Sequence, residues 1–356
     1  MDNLFNGIYK NKKVLITGHT GFKGSWLALW LTKLGAEVIG YSKDIPTNPS
    51  HLELLKLPIV SISGDILDKE KLFDVINEHK PDIVFHLAAQ SLVRKSYIEP
   101  INTFEVNILG TLNVLESCRK VGTIKAIVNI TSDKCYHNDE SGLSYKEDDK
   151  LGGDDPYSAS KGAVEIVSQS YRNSFFPKEG YGVSHNTLTA NARAGNVIGG
   201  GDWAEDRLIP DIMRAVKDGK EVTIRNPNSI RPWQHVLEPL HGYLKLGEKL
   251  LNKEIYFADN WNFGPSENSH ISVGELTKYM KVGWDKINFK IEENTNNYNE
   301  AKTLKLDSTK SQKYLGCKSV WNTEETINKT VSWYKKYYEE GAIMSEDDLN
   351  SYINKI

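Results

Sequence analysis

Apolar residues in the first half of the chain fall into short runs separated by polar, glycine-bearing turns. Lys13-Val14-Leu15-Ile16-Thr17 is the first run and Glu37-Val38-Ile39-Gly40-Tyr41-Ser42 the second. Further runs lie at 60–66, 81–90, 126–131 and 187–193. Short, continuous and rich in β-branched residues, they read as strands buried on both faces. Between them lie an apolar helix at 25–31, an amphipathic one opening at 105–111 and running to Arg119, and another carrying Tyr157. Strands alternating with helices predict an α/β fold, a doubly wound Rossmann-type parallel sheet. From Ala194 the texture changes to a glycine-dense loop, then to mixed helices and short strands, with Trp261-Asn262-Phe263-Gly264-Pro265 read as a turn. A smaller, mostly C-terminal α/β domain is expected there. The division expected is 1–192, with a segment returning near 229–258, for the sheet domain, and 193–228 with 259–356 for the smaller one.

Composition changes this picture little. The 356 residues are 39% hydrophobic and 26% charged, with a net charge of -3, which describes an ordinary globular protein. That charge gives no reason to expect nucleic acid or an anionic membrane surface as a partner. No run approaches the roughly 20 apolar residues that span a bilayer, and residues 1–13 lack the apolar core of a signal peptide. Cys118, Cys135 and Cys317 are odd in number and far apart, so neither a disulfide framework nor a metal site is expected. A cytoplasmic location follows as an expectation.

Candidate chemistry sits where the strands end. The first runs into Gly18-His19-Thr20-Gly21-Phe22-Lys23-Gly24 and then a helix. Glycines there permit a tight turn and let backbone N–H groups approach a pyrophosphate at the helix N-terminus. The second strand ends Ser42-Lys43-Asp44, where an acid would hold the ribose of NAD; Lys43 faces either a 2′-phosphate or water, so this strand leaves NAD against NADP open. Asp65-Ile66 suits an adenine edge or, alternatively, the capping of the next helix. At the fourth strand Ala88 and Ala89 are small enough for a cofactor to lie against the backbone, and Gln90, Ser91 and Arg94 follow. Asn107, a poor helix former, is either a buried hydrogen-bonding group or solvent-facing. Ser132-Asp133-Lys134 sits at the tip of the fifth strand, and Tyr157 and Lys161 share a helix face at i and i+4. A cation beside a phenol favours its ionised form, able to take a proton from an alcohol. Beyond 194, Arg207, Arg225 and Arg231 with Asn196 and Trp203 surround the glycine-rich loop, an arrangement suited to a diphosphate and a flat base or sugar.

Taken together these residues resemble the nucleotide-sugar dehydratases of the extended short-chain dehydrogenase/reductase superfamily. The resemblance runs nearly end to end. It is carried by Gly18-His19-Thr20-Gly21-Phe22-Lys23-Gly24, His86-Leu87-Ala88-Ala89-Gln90, Thr131-Ser132-Asp133-Lys134-Cys135-Tyr136 and Asp155-Pro156-Tyr157-Ser158 with Ser160-Lys161. The most specific runs are Ala192-Arg193-Ala194-Gly195-Asn196-Val197-Ile198-Gly199-Gly200-Gly201-Asp202-Trp203 and Ile230-Arg231-Pro232-Trp233-Gln234-His235-Val236. Relatives acting on dTDP- or GDP-sugars carry Asp-Glu where this chain has Asp133-Lys134; the lysine form is similar to the branch acting on CDP-glucose.

The resemblance implies NAD as cofactor, held by Gly18, Thr20, Gly21, Phe22, Lys23, Gly24, Asp65, Ile66, Leu87, Ala88, Ala89, Gln90, Asn107, Tyr157 and Lys161. It implies a nucleotide sugar, CDP-glucose or a related one, held by Gln90, Arg94, Arg193, Asn196, Trp203, Arg207, Leu208, Arg231 and His235. Tyr157, assisted by Lys161, would take the 4-hydroxyl proton and Ser132 would hold the 4-oxygen. Asp133 would protonate the departing 6-hydroxyl, and Lys134 would act as base at C5 or stabilise the enolate. The implied product is a 4-keto-6-deoxy sugar, a step towards deoxy sugars of surface polysaccharide (O-antigen, lipopolysaccharide), and the implied assembly is a homodimer or homotetramer. A 4-epimerase would share the fold, Tyr157 and Lys161, but has no need of the adjacent Asp133 and Lys134.

Overall fold

The computed structural model describes residues 4–139, 142–224, 226–265, 270–291 and 304–356. Seven parallel strands form its central sheet: β1 (Lys13–Thr17), β2 (Glu37–Ser42), β3 (Val60–Ser63), β4 (Ile83–His86), β5 (Ala126–Ile130), β6 (Leu188–Ala194) and β7 (Asn260–Phe263). Their order across the sheet is β7-β6-β5-β4-β1-β2-β3. Chain order therefore reverses between β1 and β4, and a crevice opens at their carboxyl ends. The doubly wound α/β sheet is as expected.

Successive side chains on a strand point to opposite faces, and the two faces carry separate cores. Val14, Ile16, Ile83, Phe85, Ala126 and Val128 pack on one side with α1 (Phe22–Lys33). Leu15, Ile39, Val84 and Ile127 pack on the other with α2 (Lys69–His79) and α3 (Gly110–Val121). Trp26, Leu27, Leu29, Trp30 and Leu31 of α1 are all fully buried. An apolar side chain so buried contributes about 1.5–3 kcal/mol, which fixes the glycine loop preceding α1 firmly to the sheet.

α4 (Pro156–Phe175) begins where proline occupies the first turn and the Asp155 carboxylate accepts the Ser158 N–H at 3.0 Å. Both features favour a helix start at this point. The consequence is a rotational setting in which Tyr157, Lys161, Glu165, Ser168 and Arg172 form one buried stripe.

The smaller unit has its own core of Ile198, Trp203, Ile209, Ile212, Met213, Trp233, Leu276, Met280, Trp284, Ile327, Val331, Trp333 and Tyr334. It is built on α5 (Leu208–Lys217), α7 (Val273–Gly283) and α8 (Thr323–Glu340). Short strands complete it, Ile230–Pro232 antiparallel to His270–Ser272 and Phe289–Ile291 parallel to Val222–Ile224. α6 (Leu237–Leu251) and α9 (Ser345–Ile353) return to the main core.

Two expectations about the chain's second half are corrected here. Asn260–Phe263 is not a turn but the seventh strand, with Trp261 opposite Ala192; the Gly264-Pro265 pair ends the strand rather than marking a reversal. Nor does 259–356 belong wholly to the smaller unit. Leu315, Trp321, Leu349 and Tyr352 lie in the main core, where the half-buried Glu238 carboxylate accepts the Val320 and Trp321 N–H groups and the Tyr352 hydroxyl. No helix among the described residues is long and apolar enough to cross a membrane.

Candidate active site

The crevice at the reversal point is a cleft of about 1370 Å³ between the sheet and the smaller unit. Pockets for one drug-sized molecule measure about 300–1,000 Å³, so this one has room for two ligands side by side. Its sheet-side wall is the glycine loop, the carboxyl tips of β3 and β4, and the start of α4; residues 194–211 form the facing wall.

The glycine loop lies directly against the tip of β4. Gly18 has φ +77°, and a Cβ there would stand 2.7 Å from the Ala88 nitrogen. A Cβ on Gly24 would stand 2.1 Å from the Gly18 carbonyl oxygen, so only glycine lets α1 start this close to the loop. Behind the loop, His19 is clamped between Ser42 at 2.8 Å and Ser61 at 2.7 Å. Thr20, Gly21, Phe22 and Lys23 complete this end, and Asp65, Ile66, Leu87, Ala88 and Ala89 continue it. A tight backbone cradle at a helix N-terminus, flanked by small residues, fits a dinucleotide pyrophosphate. The Lys43 side chain is largely exposed, and its ammonium pairs with the Asp65 carboxylate at 2.9 Å.

Ser132, Asp133, Lys134, Tyr157 and Lys161 all line the cleft. Ser132 donates to Asp133 Oδ1 at 3.0 Å, accepts the Lys134 N–H at 3.2 Å, and acts to lower the pKa of the Tyr157 phenol. Asp133 Oδ2 is buried without a partner among the described residues. The Tyr157 phenol is pushed up to about 12, chiefly by burial, with the Ser132 hydrogen bond and Arg207 pulling down and Asp133 pushing up. That corrects the expectation of a ready phenolate: in this desolvated setting burial outweighs the cations. Lys161 is brought down to about 8 by burial, with Glu165 opposing. Lys23 also falls to about 8 through burial and the neighbouring Arg207 and Lys161 cations, against the pull of Asp133. It therefore stands at the reacting end of the loop as well as beside the phosphate cradle.

On the facing wall Arg207 donates to Asp202 at 3.1 Å and to Ser91 at 3.1 Å, tying the smaller unit to the sheet. Arg94 pairs with Asp206 at 2.9 Å across the mouth. Asn196, Leu208 and Arg231 line the same wall. Arg225 lies outside the described residues.

Five of the expected contact residues are engaged by neighbouring protein groups. Arg193 is fully buried and pairs with Glu165 at 2.8 Å, while also donating to the Tyr136 hydroxyl at 2.6 Å and the Glu147 carbonyl at 2.8 Å. His235, equally buried, packs edge-on against Trp321 at 4.7 Å, away from the cleft. Trp203 is only 5% exposed, with its indole N–H on the Tyr338 hydroxyl, so it is wall rather than stacking platform. Asn107 is buried: it accepts the Gln90 N–H at 2.9 Å and donates to the Gln90 carbonyl and to Ser160 Oγ. It thus pins the β4 tip to α4 behind the cleft. Gln90 lines the cleft, but its amide is engaged by Thr103 and Leu92, which shapes the loop. Glu165 and the acids Asp202 and Asp206 are the residues sequence reasoning missed. For Glu165 the signal was present, since it continues the i, i+4 spacing of Tyr157 and Lys161.

Residues 15–330 match the family model described as GDP-mannose 4,6 dehydratase. The chain belongs to that family. It is 48% identical over 350 residues to the CDP-glucose 4,6-dehydratase of Salmonella typhimurium, covering 97% of each chain. Over 228 residues it is 33% identical to the dTDP-D-glucose 4,6-dehydratase of Dictyostelium discoideum, covering 60% of this chain and 50% of that one. Among solved structures, an epimerase from Methanothermobacter thermautotrophicus superposes with TM-score 0.80 at 24% identity, covering 94% of this chain and 95% of that one. The dTDP-glucose 4,6-dehydratase of Bacillus anthracis, in complex with NAD, gives 0.75 at 20%, covering 92% and 98%. These two likenesses establish the shared fold of this GDP-mannose 4,6-dehydratase family member.

Proposed function

We propose that this chain converts CDP-glucose to CDP-4-keto-6-deoxyglucose with NAD as a resident cofactor, a hydro-lyase reaction without net redox. The observation that carries the reading is 48% identity over 97% of the chain to a CDP-glucose 4,6-dehydratase, together with Asp133-Lys134 in the same cleft as Tyr157 and Lys161. An acid and a second amine next to the phenol are surplus to epimerisation at C4 but necessary for removing water across C5 and C6.

The glycine cradle from Gly18 to Gly24, with Asp65, Ile66 and the Ala88-Ala89 tip, would hold the dinucleotide. When bound, that group supplies a hydride acceptor and donor. Tyr157 takes the 4-hydroxyl proton as the C4 hydrogen departs, and Ser132 holds the 4-oxygen. A 4-keto group makes the C5 hydrogen acidic, and Lys134 would act as its base or stabilise the enolate. Asp133 would give its proton to the leaving 6-hydroxyl through the buried Oδ2, which has no partner among the described residues. Arg207, Arg231 and Asn196 on the facing wall would take the diphosphate, Arg94 joining once released from Asp206.

We further place the protein in the cytoplasm, in a route to deoxy sugars of surface polysaccharide, and read it as a homodimer or larger assembly. Ile98, Ile101, Leu109, Ile166 and Phe175 are exposed within residues 95–120 and 157–175, the segments through which we read it as pairing, Ile98 by 77%. An apolar strip of this kind marks an interaction surface.

Incubating the chain with CDP-glucose tests the reading. A product lighter by one water, with the base-induced ultraviolet absorbance of a 4-keto-6-deoxy sugar, supports it. Epimerisation alone, or turnover only of sugars on other nucleotides, would sink it.

A further inference from the structure

Lys161 is buried, and no carboxylate among the described residues lies within ion-pairing distance of it. The groups facing it are Tyr157 and Glu165 on its own helix, Cys135 from the turn after β5, His86 from β4 and Lys23 from α1. The phenol is un-ionised at neutral pH, the thiol is pushed up by burial, and burial keeps the imidazole neutral. Lys23 is a like charge. Asp133, at the same end of the cleft, is the acid of the proposed reaction; Glu165 is the anion that acts on Lys161 from its own helix. It lies one helical turn beyond Lys161 on the same buried stripe, at 1% exposure. Its carboxylate is held from three sides: Arg193 Nη2 and Asn191 Nδ2 each donate at 2.8 Å, and the Thr131 hydroxyl donates from the strand tip that carries Ser132 and Asp133.

We propose that Glu165, anchored by Arg193, Asn191 and Thr131, is the buried anion that keeps Lys161 an ammonium beside Tyr157, and so is a positioning residue for proton transfer. The proposal rests on the reading above that Tyr157 and Lys161 serve the 4-hydroxyl. The arrangement also explains why a full ion pair is placed under the sheet tip. Arg193 locks the carboxylate and stops it swinging onto Lys161, whose charge must stay available to the phenol. A buried pair of this sort adds little net stability, whereas removing one member strands the other.

Glu165→Gln alone leaves Arg193 uncompensated, so the deciding variant is Glu165→Gln/Arg193→Met, which removes both charges. Activity requires protonated Lys161 and is lost as pH rises through its pKa; of the two charges withdrawn only Glu165 acts on Lys161, so the variant moves that alkaline limb to lower pH. For a folded double variant with wild-type melting behaviour, the expected result is a limb about one unit more acidic. Turnover above the limb then falls about tenfold, with KM little changed. A double variant that recovers stability and keeps the wild-type limb would show Glu165 to be only half of a structural pair, and would overturn the proposal. Carbon-13 NMR of lysine-labelled protein, with Lys161→Arg to assign the signal, reads the same titration without turnover. Should the wild-type chain dehydrate no nucleotide sugar, the functional reading falls while this titration still decides the role of Glu165.

Discussion

Replacing Tyr157 by phenylalanine removes one hydroxyl from the centre of the cleft, and the surroundings of that hydroxyl set the size of the effect. Burial holds the phenol at about 12. At pH 7.5 a free phenolate would then form in roughly one molecule in 30,000, a cost of about 6 kcal/mol. A base that costly cannot be present beforehand. The proton must leave the sugar as the C4 hydrogen leaves, with Ser132, Arg207 and Lys161 stabilising the charge while it develops. Tyr157→Phe should therefore lower kcat on CDP-glucose by about 10²–10⁴-fold, the usual worth of a positioned acid or base, with little change in KM. In wild-type protein, deuterium at C4 and deuterated solvent should both slow turnover. Difference spectra between wild type and Tyr157→Phe, without ligands, should show no tyrosinate absorbance between pH 6 and 9. Activity retained within a few-fold, or a tyrosinate titrating near pH 7, would refute this reasoning.

Acid should destabilise the chain well before its carboxylates as a class are neutralised. Burial holds His51, His86 and His235 at about 3, and His19 and His241 at about 4. Their folded values lie below the unfolded 6.5, so the unfolded chain binds more protons, and the stability they contribute is lost as pH falls below about 6.5. At pH 5 each costs about 2 kcal/mol. Glu238, raised by burial to about 7, and Asp348, raised to about 6, offset roughly 4 kcal/mol in the opposite sense. A net loss near 6 kcal/mol should lower Tm by on the order of 10 °C between pH 8 and 5; calorimetry showing no drop would contradict these burials. Gly24→Ala forces a Cβ into the Gly18 carbonyl and should weaken NAD binding at least about tenfold, read by calorimetric titration, with the circular dichroism spectrum unchanged. In Lys134→Glu the base at C5 is replaced by another base, so C5 hydrogen exchange with solvent should persist. Its loss would instead assign Lys134 to stabilising the enolate.

The sheet was legible because its strands are continuous apolar runs, and the double core of Val14 and Ile16 against Leu15 follows from side-chain alternation alone. The glycine loop and the Tyr157–Lys161 pair were legible because each depends on spacing within one element. Contacts made across elements were not. An arginine in a motif-rich run looks the same whether it faces a phosphate or, like Arg193, a carboxylate on a helix 28 positions earlier. Trp203 and His235 sit in equally distinctive runs yet serve packing, because a large ring near a cleft gains more by burial than by waiting for a ligand. The strand Asn260–Phe263 was hidden by Gly264-Pro265, whose punctuation marks where pairing ends but not what precedes it. For Tyr157 the i+4 spacing to Lys161 was legible, but the degree of burial was not, since that depends on elements distant in sequence.

The claim at the centre of this account is that one site removes a hydrogen from C4 and returns it to C6. CDP-glucose carrying deuterium at C4, turned over in ordinary water with a trace of unlabelled NAD, tests it directly by mass spectrometry and proton NMR of the product. The account predicts deuterium at C6 of the 4-keto-6-deoxy product, a solvent hydrogen at C5, and no NADH accumulating in solution. Deuterium lost to solvent, or recovered at C4 of an epimer, would contradict it.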